Sequence, residues 1–225
     1  MNAAEFNRKY EIIDAAIACY MDPSEEEYSV HRVAQRLGTN SDEIYSHFEN
    51  KGDILHQFYV LTVYKYRLMT DEIEDFAEFT LAEKISNFVY ASIQMLDEQR
   101  PFVKATFNSF HRNWISDSPF TKEVARLFRD FVEQDPQIGY AQHILIDYGG
   151  YHMMCFEYFN IVEEWMEKEQ NNVEELLALA DKWATFVEEL LYVKVLDSGF
   201  DLAKYLLQHR MMRTGIPLVD KLFKK

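Results

Sequence analysis

Apolar residues recur at spacings of three and four along almost the whole chain, which is the period of amphipathic helices. The first helix is predicted from about residue 4 to 21 and ends at Asp22-Pro23, because the residue before a proline avoids the helical region. A long helix is predicted over 51–76. Later helices are predicted over 80–99, 101–115, 119–134, 137–169, 172–197 and 200–212. Glycine and proline are scarce, so the pattern predicts an all-α fold.

The segment from Ser29 to Lys51 predicts two short helices joined by a tight turn. Ser29 is the expected N-cap of the first short helix, and Gly38 supplies the turn. Asn40 is the expected N-cap of the second, with Glu43 at its third position, which is close to a capping box. Two helices joined in this way form a helix-turn-helix, which places its second helix in the major groove of DNA.

The charge of this segment is unusual for a DNA-binding protein. The chain has a net charge of −15, which repels nucleic acid at long range. Residues 1–55 hold five basic against eleven acidic side chains, a balance of −6. The second short helix contains Asp42 and Glu43 and no lysine or arginine. Asp42 is expected to stabilise the helix N-terminus, whereas Glu43 has either that role or a contact with cytosine N4.

Two long predicted helices near the C-terminus indicate a dimer interface. The helix over 172–197 has an apolar stripe, and the helix over 137–169 is apolar nearly all round between Ile144 and Met166. A helix of that kind must be covered on more than one side, so a homodimer through both helices is predicted. The alternative is that both helices are buried inside a monomer. Gly149-Gly150 either permits close helix approach or marks a bend.

Motifs for other chemistry are absent from the sequence. Cys19 and Cys155 are expected to be buried free thiols of a reducing compartment. The chain has no zinc-spaced Cys/His cluster, glycine-rich phosphate loop or nucleophile motif, so no metal, cofactor or enzymatic activity is predicted. Ionisable residues interrupt its most apolar region and residues 1–10 lack the apolar run of a signal peptide, so a soluble cytoplasmic protein without a membrane span is predicted.

Residues 8–58 resemble the TetR/AcrR family of bacterial transcriptional regulators. The resemblance rests on Ser29, Val33-Ala34, Leu37-Gly38, Ile44-Tyr45, His47-Phe48 and Asn50-Lys51. The rest of the chain matches the family only in length and helical layout. The resemblance implies a three-helix helix-turn-helix domain over 1–55, followed by an effector-binding and dimerisation bundle over 56–225. A homodimer of this kind would bind a palindromic operator, with repression as the expected mode of regulation.

The residues expected to contact double-stranded DNA combine the family positions with local chemistry. The resemblance assigns phosphate contacts to Tyr45 and His47, and a backbone contact at a helix start to Lys51. Hydroxyl, amide and cationic groups suit phosphate oxygens. The full set is Ser29, Arg32, Asn40, Ser41, Glu43, Tyr45, His47 and Lys51. The acidic balance of residues 1–55 favours an alternative, a sensor or protein-interaction module that kept the helix-turn-helix fold and lost DNA binding.

A pocket for a small apolar or aromatic effector is expected within residues 60–170, where aromatic side chains are abundant. Its candidate walls are Tyr64, Phe88, Phe107, Phe110, Trp114, Phe128, Phe131, Tyr148, Met154 and Phe156. Each of these residues also suits ordinary core packing. Effector binding would move the long helix over 51–76 and change the spacing of the two DNA-reading helices.

Overall fold

The structure is a computed structural model that describes residues 2–24, 27–111, 118–168 and 173–193. These ranges contain ten α-helices and no strand, which confirms the all-α fold. The helices are α1 Ala3–Tyr20, α2 Val30–Leu37, α3 Ser41–His47, α4 Lys51–Asp71, α5 Leu81–Asp97, α6 Arg100–His111, α7 Pro119–Glu133, α8 Tyr140–Leu145, α9 Tyr151–Glu167 and α10 Val173–Leu191. The helix predicted over 200–212 lies outside the described residues, as do the ends of those predicted over 101–115 and 172–197.

Local capping defines the short helices α2 and α3. Gly38 ends α2 in the left-handed region at φ +67°, and the Asn40 side chain begins α3 by accepting the Glu43 N–H at 2.9 Å. Asn50 begins α4 in the same way, accepting two first-turn N–H groups at 2.9 and 3.0 Å. Ser29 is the N-cap residue of α2, as predicted, but its side chain makes no capping hydrogen bond.

Buried aliphatic and aromatic side chains pack the first four helices against one another. Ile44 and Phe48 place the inner side of α3 in the core, where they are 0% and 3% exposed. The other helices contribute Ile12, Ile13, Ala16, Ile17, Val30, Val33, Ala34, Ile54 and Phe58. Val30, Val33 and Ala34 lie three and four residues apart, so the helical period locates the buried side of α2.

Helix α4 ends earlier than predicted. It stops at Asp71 instead of continuing to residue 76, and a 3₁₀ turn follows over Phe76–Glu78. Residues 71–78 include five carboxylates, and negative charge at a helix C-terminus opposes the helix dipole. Asp75 then takes a left-handed backbone at φ 64°. The next helix, α5, has a full capping box between Thr80 and Glu83.

The single helix predicted over 137–169 is wrong, because the structure divides it. Helix α8 begins only at Tyr140, and a π-helical turn over Ile146–Gly150 separates it from α9. Gly149 has φ +132°, a conformation that side-chain-bearing residues rarely adopt. Of the two roles considered for Gly149-Gly150, the bend is therefore confirmed.

Aromatic rings form the centre of the larger helical part. Phe88 and Tyr158 lie with ring centroids 4.9 Å apart, and Phe120 contacts Tyr59 at 5.4 Å. The Tyr59 hydroxyl lies 2.7 Å from Thr106 Oγ1, so the buried polar group of this ring has a partner. Tyr59 belongs to α4, and through it the core beneath α3 is continuous with the core of the larger helical part.

Candidate nucleic-acid interface and effector pocket

The outer side of α3 carries the side chains expected to contact DNA. With Ile44 and Phe48 buried beneath the helix, Tyr45 is 47% exposed and Asn40 is exposed beside it. Ser41 and His47 are half-buried, as are Ser29 and Arg32 on the neighbouring helix and its N-cap. The structure thus brings these predicted contact residues to one helix-turn-helix, with the phenol of Tyr45 directed to solvent.

Lys51, the first residue of α4, already has a carboxylate partner. Its Nζ lies 2.8 Å from Glu27 Oε1, and both side chains are more than half exposed. The Tyr28 hydroxyl donates to the Lys51 carbonyl at 3.1 Å, which holds the loop before α2 against the start of α4. The hydrogen bond from Lys51, followed by its charge, lowers the pKa of the Glu27 carboxyl. An exposed ion pair of this kind is weak and exchanges readily.

The arginines of α2 lie near the turn that follows α1. Asp22 Oδ1 accepts hydrogen bonds from the Ser24 backbone and hydroxyl at 2.9 and 2.6 Å. These bonds lower the pKa of the Asp22 carboxyl, and the charges of Arg32 and Arg36 contribute less. The chain's own carboxylates therefore offset part of the positive charge beside α3.

Glu43 lies in the first turn of α3, as its predicted helix-stabilising role requires, and its carboxylate also makes contacts outside the helix. Its Oε1 accepts from Arg8 Nε at 2.9 Å and also from Arg8 Nη2, and its Oε2 accepts from the Thr39 hydroxyl. The bond from Thr39, followed by that from Arg8, lowers the pKa of the Glu43 carboxyl. The expected capping box is only half formed, because this carboxylate points to α1 and not to the N-cap backbone of its own helix. Sequence reasoning missed Arg8, since it precedes Glu43 by 35 residues and no motif links them.

An apolar groove of about 530 Å³ lies between the π-helical turn, α9 and α10. We call it the α9–α10 groove. Its lining residues are Gln142, Ile146, Gly150, Met153, Met154, Glu157, Trp183, Phe186, Val187, Leu190 and Leu191. Among the predicted pocket residues, Met154 lines this groove. Sequence reasoning did not predict the α10 residues as pocket walls, because it assigned their apolar stripe to a dimer interface.

The other predicted pocket residues occupy several environments. Buried in the aromatic core are Phe88, Phe107, Phe128 and Phe131. Tyr64 is half-buried with its ring 5.4 Å from Phe6, and Phe110 stacks on His56 at 3.8 Å. Phe156 is half-buried on α9. Trp114 and the side chain of Tyr148 lie outside the described residues. An effector-binding role for these residues stays a prediction.

The described residues contain no group of three or more histidine, cysteine, aspartate or glutamate side chains arranged to hold a metal ion. No helix in the same part of the chain is long and apolar enough to cross a membrane. Cys19 and Cys155 are free and buried, as the sequence predicted.

The described part of the chain joins a helix-turn-helix through the long helix α4 to a larger helical part. No family model and no curated protein matches the chain. Among solved structures, it is similar to a TetR transcriptional regulator from Nitrosomonas europaea ATCC 19718, with a TM-score of 0.60 and 18% sequence identity. The match covers 80% of this chain and 97% of that chain. The chain therefore has a TetR-like fold.

Proposed function

We propose that the chain is a transcription regulator that binds a palindromic operator as a homodimer and represses in the cytoplasm. One observation carries this proposal. Helix α3 is held by Ile44 and Phe48 so that Tyr45 and Asn40 face outward, as a groove-reading helix requires. The similarity to a solved TetR regulator supports the fold on which the proposal depends.

In this proposal the phosphate contacts come from hydroxyl, amide and cationic groups around α3. Tyr45, Ser41 and His47 contact phosphates from the helix itself, while Lys51 releases Glu27 and binds the backbone at the start of α4. An exposed lysine–glutamate pair exchanges for a phosphate at small cost. Two copies of α3 about one DNA turn apart then read the two half-sites.

The test is selection of binding sequences from random duplex DNA by the purified protein, followed by affinity measurement over a salt series. A selected duplex should bind with an affinity that falls steeply as salt rises. A Tyr45→Ala, Lys51→Ala double variant should lose about tenfold or more, because two phosphate contacts disappear. Lys104→Ala removes an exposed lysine from α6 and serves as the matched control, with unchanged affinity.

The homodimer is proposed to form through α9 and α10. Met153 and Phe186 are each 60% exposed, and Leu190 is 52% exposed. These three side chains line the α9–α10 groove and leave a large apolar surface facing solvent in a single chain. A second copy of the same surface would cover it symmetrically.

The proposed effector is a small apolar or aromatic molecule bound within the larger helical part. The many rings around α4, α5 and α7 supply walls of that chemistry. Because α4 contributes Tyr59 and Tyr66 to this core and also begins beside α3, a molecule that repositions α4 changes the spacing of the two copies of α3.

A second candidate function is a protein-interaction module that retains the fold without binding DNA. The observation that favours it is that cations around α3 are already paired with the chain's own carboxylates, as in Arg8 with Glu43 and Lys51 with Glu27. Failure of the folded wild-type protein to enrich any duplex from a random pool at low salt would favour this module over the regulator.

A further inference from the structure

The α3 helix contains a carboxylate whose charge is compensated from another helix. Glu43 receives Nε and Nη2 of Arg8, so the guanidinium meets one carboxylate oxygen through two nitrogens. Its second oxygen is occupied by the Thr39 hydroxyl. Both carboxylate oxygens of Glu43 therefore already accept hydrogen bonds within the protein.

The electrostatic consequence concerns the phosphates of bound DNA. A bare carboxylate on a helix that enters the major groove faces a dense row of negative charges and is repelled. Arg8 supplies a fixed positive charge directly beside that carboxylate. The Arg8 and Glu43 side chains are 29% and 39% exposed, so the pair contributes little to folding stability. Its effect is greatest when DNA approaches and water is displaced.

The same contact also fixes the orientation of α3 relative to α1. Arg8 Nη1 donates to Glu11 Oε2 at 2.9 Å. This contact within α1 restrains the same guanidinium that binds Glu43 on α3. One residue further, Lys9 Nζ lies 5.8 Å from the centroid of the Phe48 ring, which anchors the end of α3. The planar guanidinium of Arg8 fixes the direction of its hydrogen bonds to the Glu43 carboxylate. The ammonium group of a lysine would not fix that direction.

We infer that Arg8 is a positioning residue for DNA recognition, which neutralises Glu43 and orients α3 without touching the DNA itself. The inference rests on the proposed DNA-binding function. It assigns Glu43 to an internal ion pair and leaves phosphate contact to the exposed side of α3, around Tyr45.

A double-mutant cycle on a selected duplex tests this role. Arg8→Ala should weaken binding about tenfold, because it leaves the Glu43 carboxylate uncompensated beside the phosphates. Glu43→Gln removes that charge and should bind as well as the wild type or better. The Arg8→Ala, Glu43→Gln double variant should then recover most of the loss. Arg8→Lys should lie between Arg8→Ala and the wild type, since it restores the charge and not the planar contact.

The cycle separates this role from a direct contact with DNA. If Arg8 itself bound a phosphate, Arg8→Ala would lower affinity equally in the wild-type protein and in the Glu43→Gln variant, and the salt slope would fall by about one ion. That result would overturn the inference. The matched control is Arg126→Ala on α7, which breaks a surface pair with Glu123 and should leave DNA affinity unchanged. Thermal unfolding of each variant checks that the fold is intact.

Failure of the inference and failure of the proposed function give different results. A wild-type protein that enriches no duplex overturns the DNA-binding function and this inference with it. A wild-type protein that binds a selected duplex, together with an Arg8→Ala variant that binds equally well, overturns only the role of Arg8.

Discussion

Cys155 illustrates how burial alone sets the chemistry of a residue. Its side chain is fully buried on α9, with Sγ 3.8 Å from the Thr121 carbonyl oxygen. Burial disfavours the charged thiolate and raises the pKa of this thiol from its ordinary 9.0 to about 12. Because the thiolate is the reactive form, the folded protein protects this cysteine from electrophiles at neutral and mildly alkaline pH.

Because both cysteines are buried, we expect neither to react with a thiol reagent such as DTNB at pH 8 in the folded protein. Both should react once guanidinium unfolds the chain. The unfolded chain loses the Cys155 proton near pH 9 and the folded chain only near pH 12, so this thiol's contribution to stability is lost as pH rises through that window. Rapid reaction of one thiol in the native protein would contradict the buried placement of that cysteine.

At the scale of the helices, the sequence predicts the ends correctly where nearby capping residues define them. Gly38 and Asn40 define α2 and α3 through bonds within a few residues, and Ser118 begins α7 by accepting the Thr121 N–H at 3.1 Å. The contact of Arg8 with Glu43 has no such signal, since chain folding alone brings residues 35 positions apart together. The apolar period likewise does not show which buried ring lines a pocket and which fills the core.

The π-helical turn between α8 and α9 is a second feature that the apolar period did not predict, and it depends on Gly149. We expect Gly149→Ala to lower the free energy of unfolding by about 1–3 kcal/mol, because φ +132° is strained for alanine. An added Cβ meets no atom within 4 Å, so the effect comes from the backbone alone. Urea denaturation measures it.

The control for this substitution is Gly139→Ala, at the N-cap of α8. Gly139 has φ −79°, which alanine adopts without strain, so a smaller change is expected there. Equal destabilisation by the two substitutions would show that the left-handed backbone of Gly149 is not the cause.

At the scale of the whole molecule, the exposed apolar surface of α9 and α10 bears on the proposed homodimer. Phe186→Glu places a charge at the centre of the proposed dimer contact, so we expect a monomer by sedimentation analysis. The melting temperature of the wild type should rise with protein concentration, since only the folded dimer is favoured by association. This dependence should disappear in the variant.

Thr185→Glu is the matched control for the dimer interface. Thr185 is exposed and lies about 100° around α10 from Phe186, away from the α9–α10 groove. The added charge is the same, so this variant should remain dimeric. A monomeric wild type, or monomers from both variants, would contradict dimerisation through the α9–α10 groove.

Helix α4 has 21 residues, and its first turn lies beside α3 while its last lies in the larger helical part. At a rise of about 1.5 Å per residue, it is a rod roughly 30 Å long. A tilt of about 5° around its middle displaces each end by only about 1.3 Å. In the proposed DNA-bound homodimer, those displacements would occur in opposite senses at the two ends of the DNA site, so α4 would act as a lever. Under the proposed function, a sub-ångström adjustment around Tyr59 would thereby become a mismatch with the fixed pitch of the double helix.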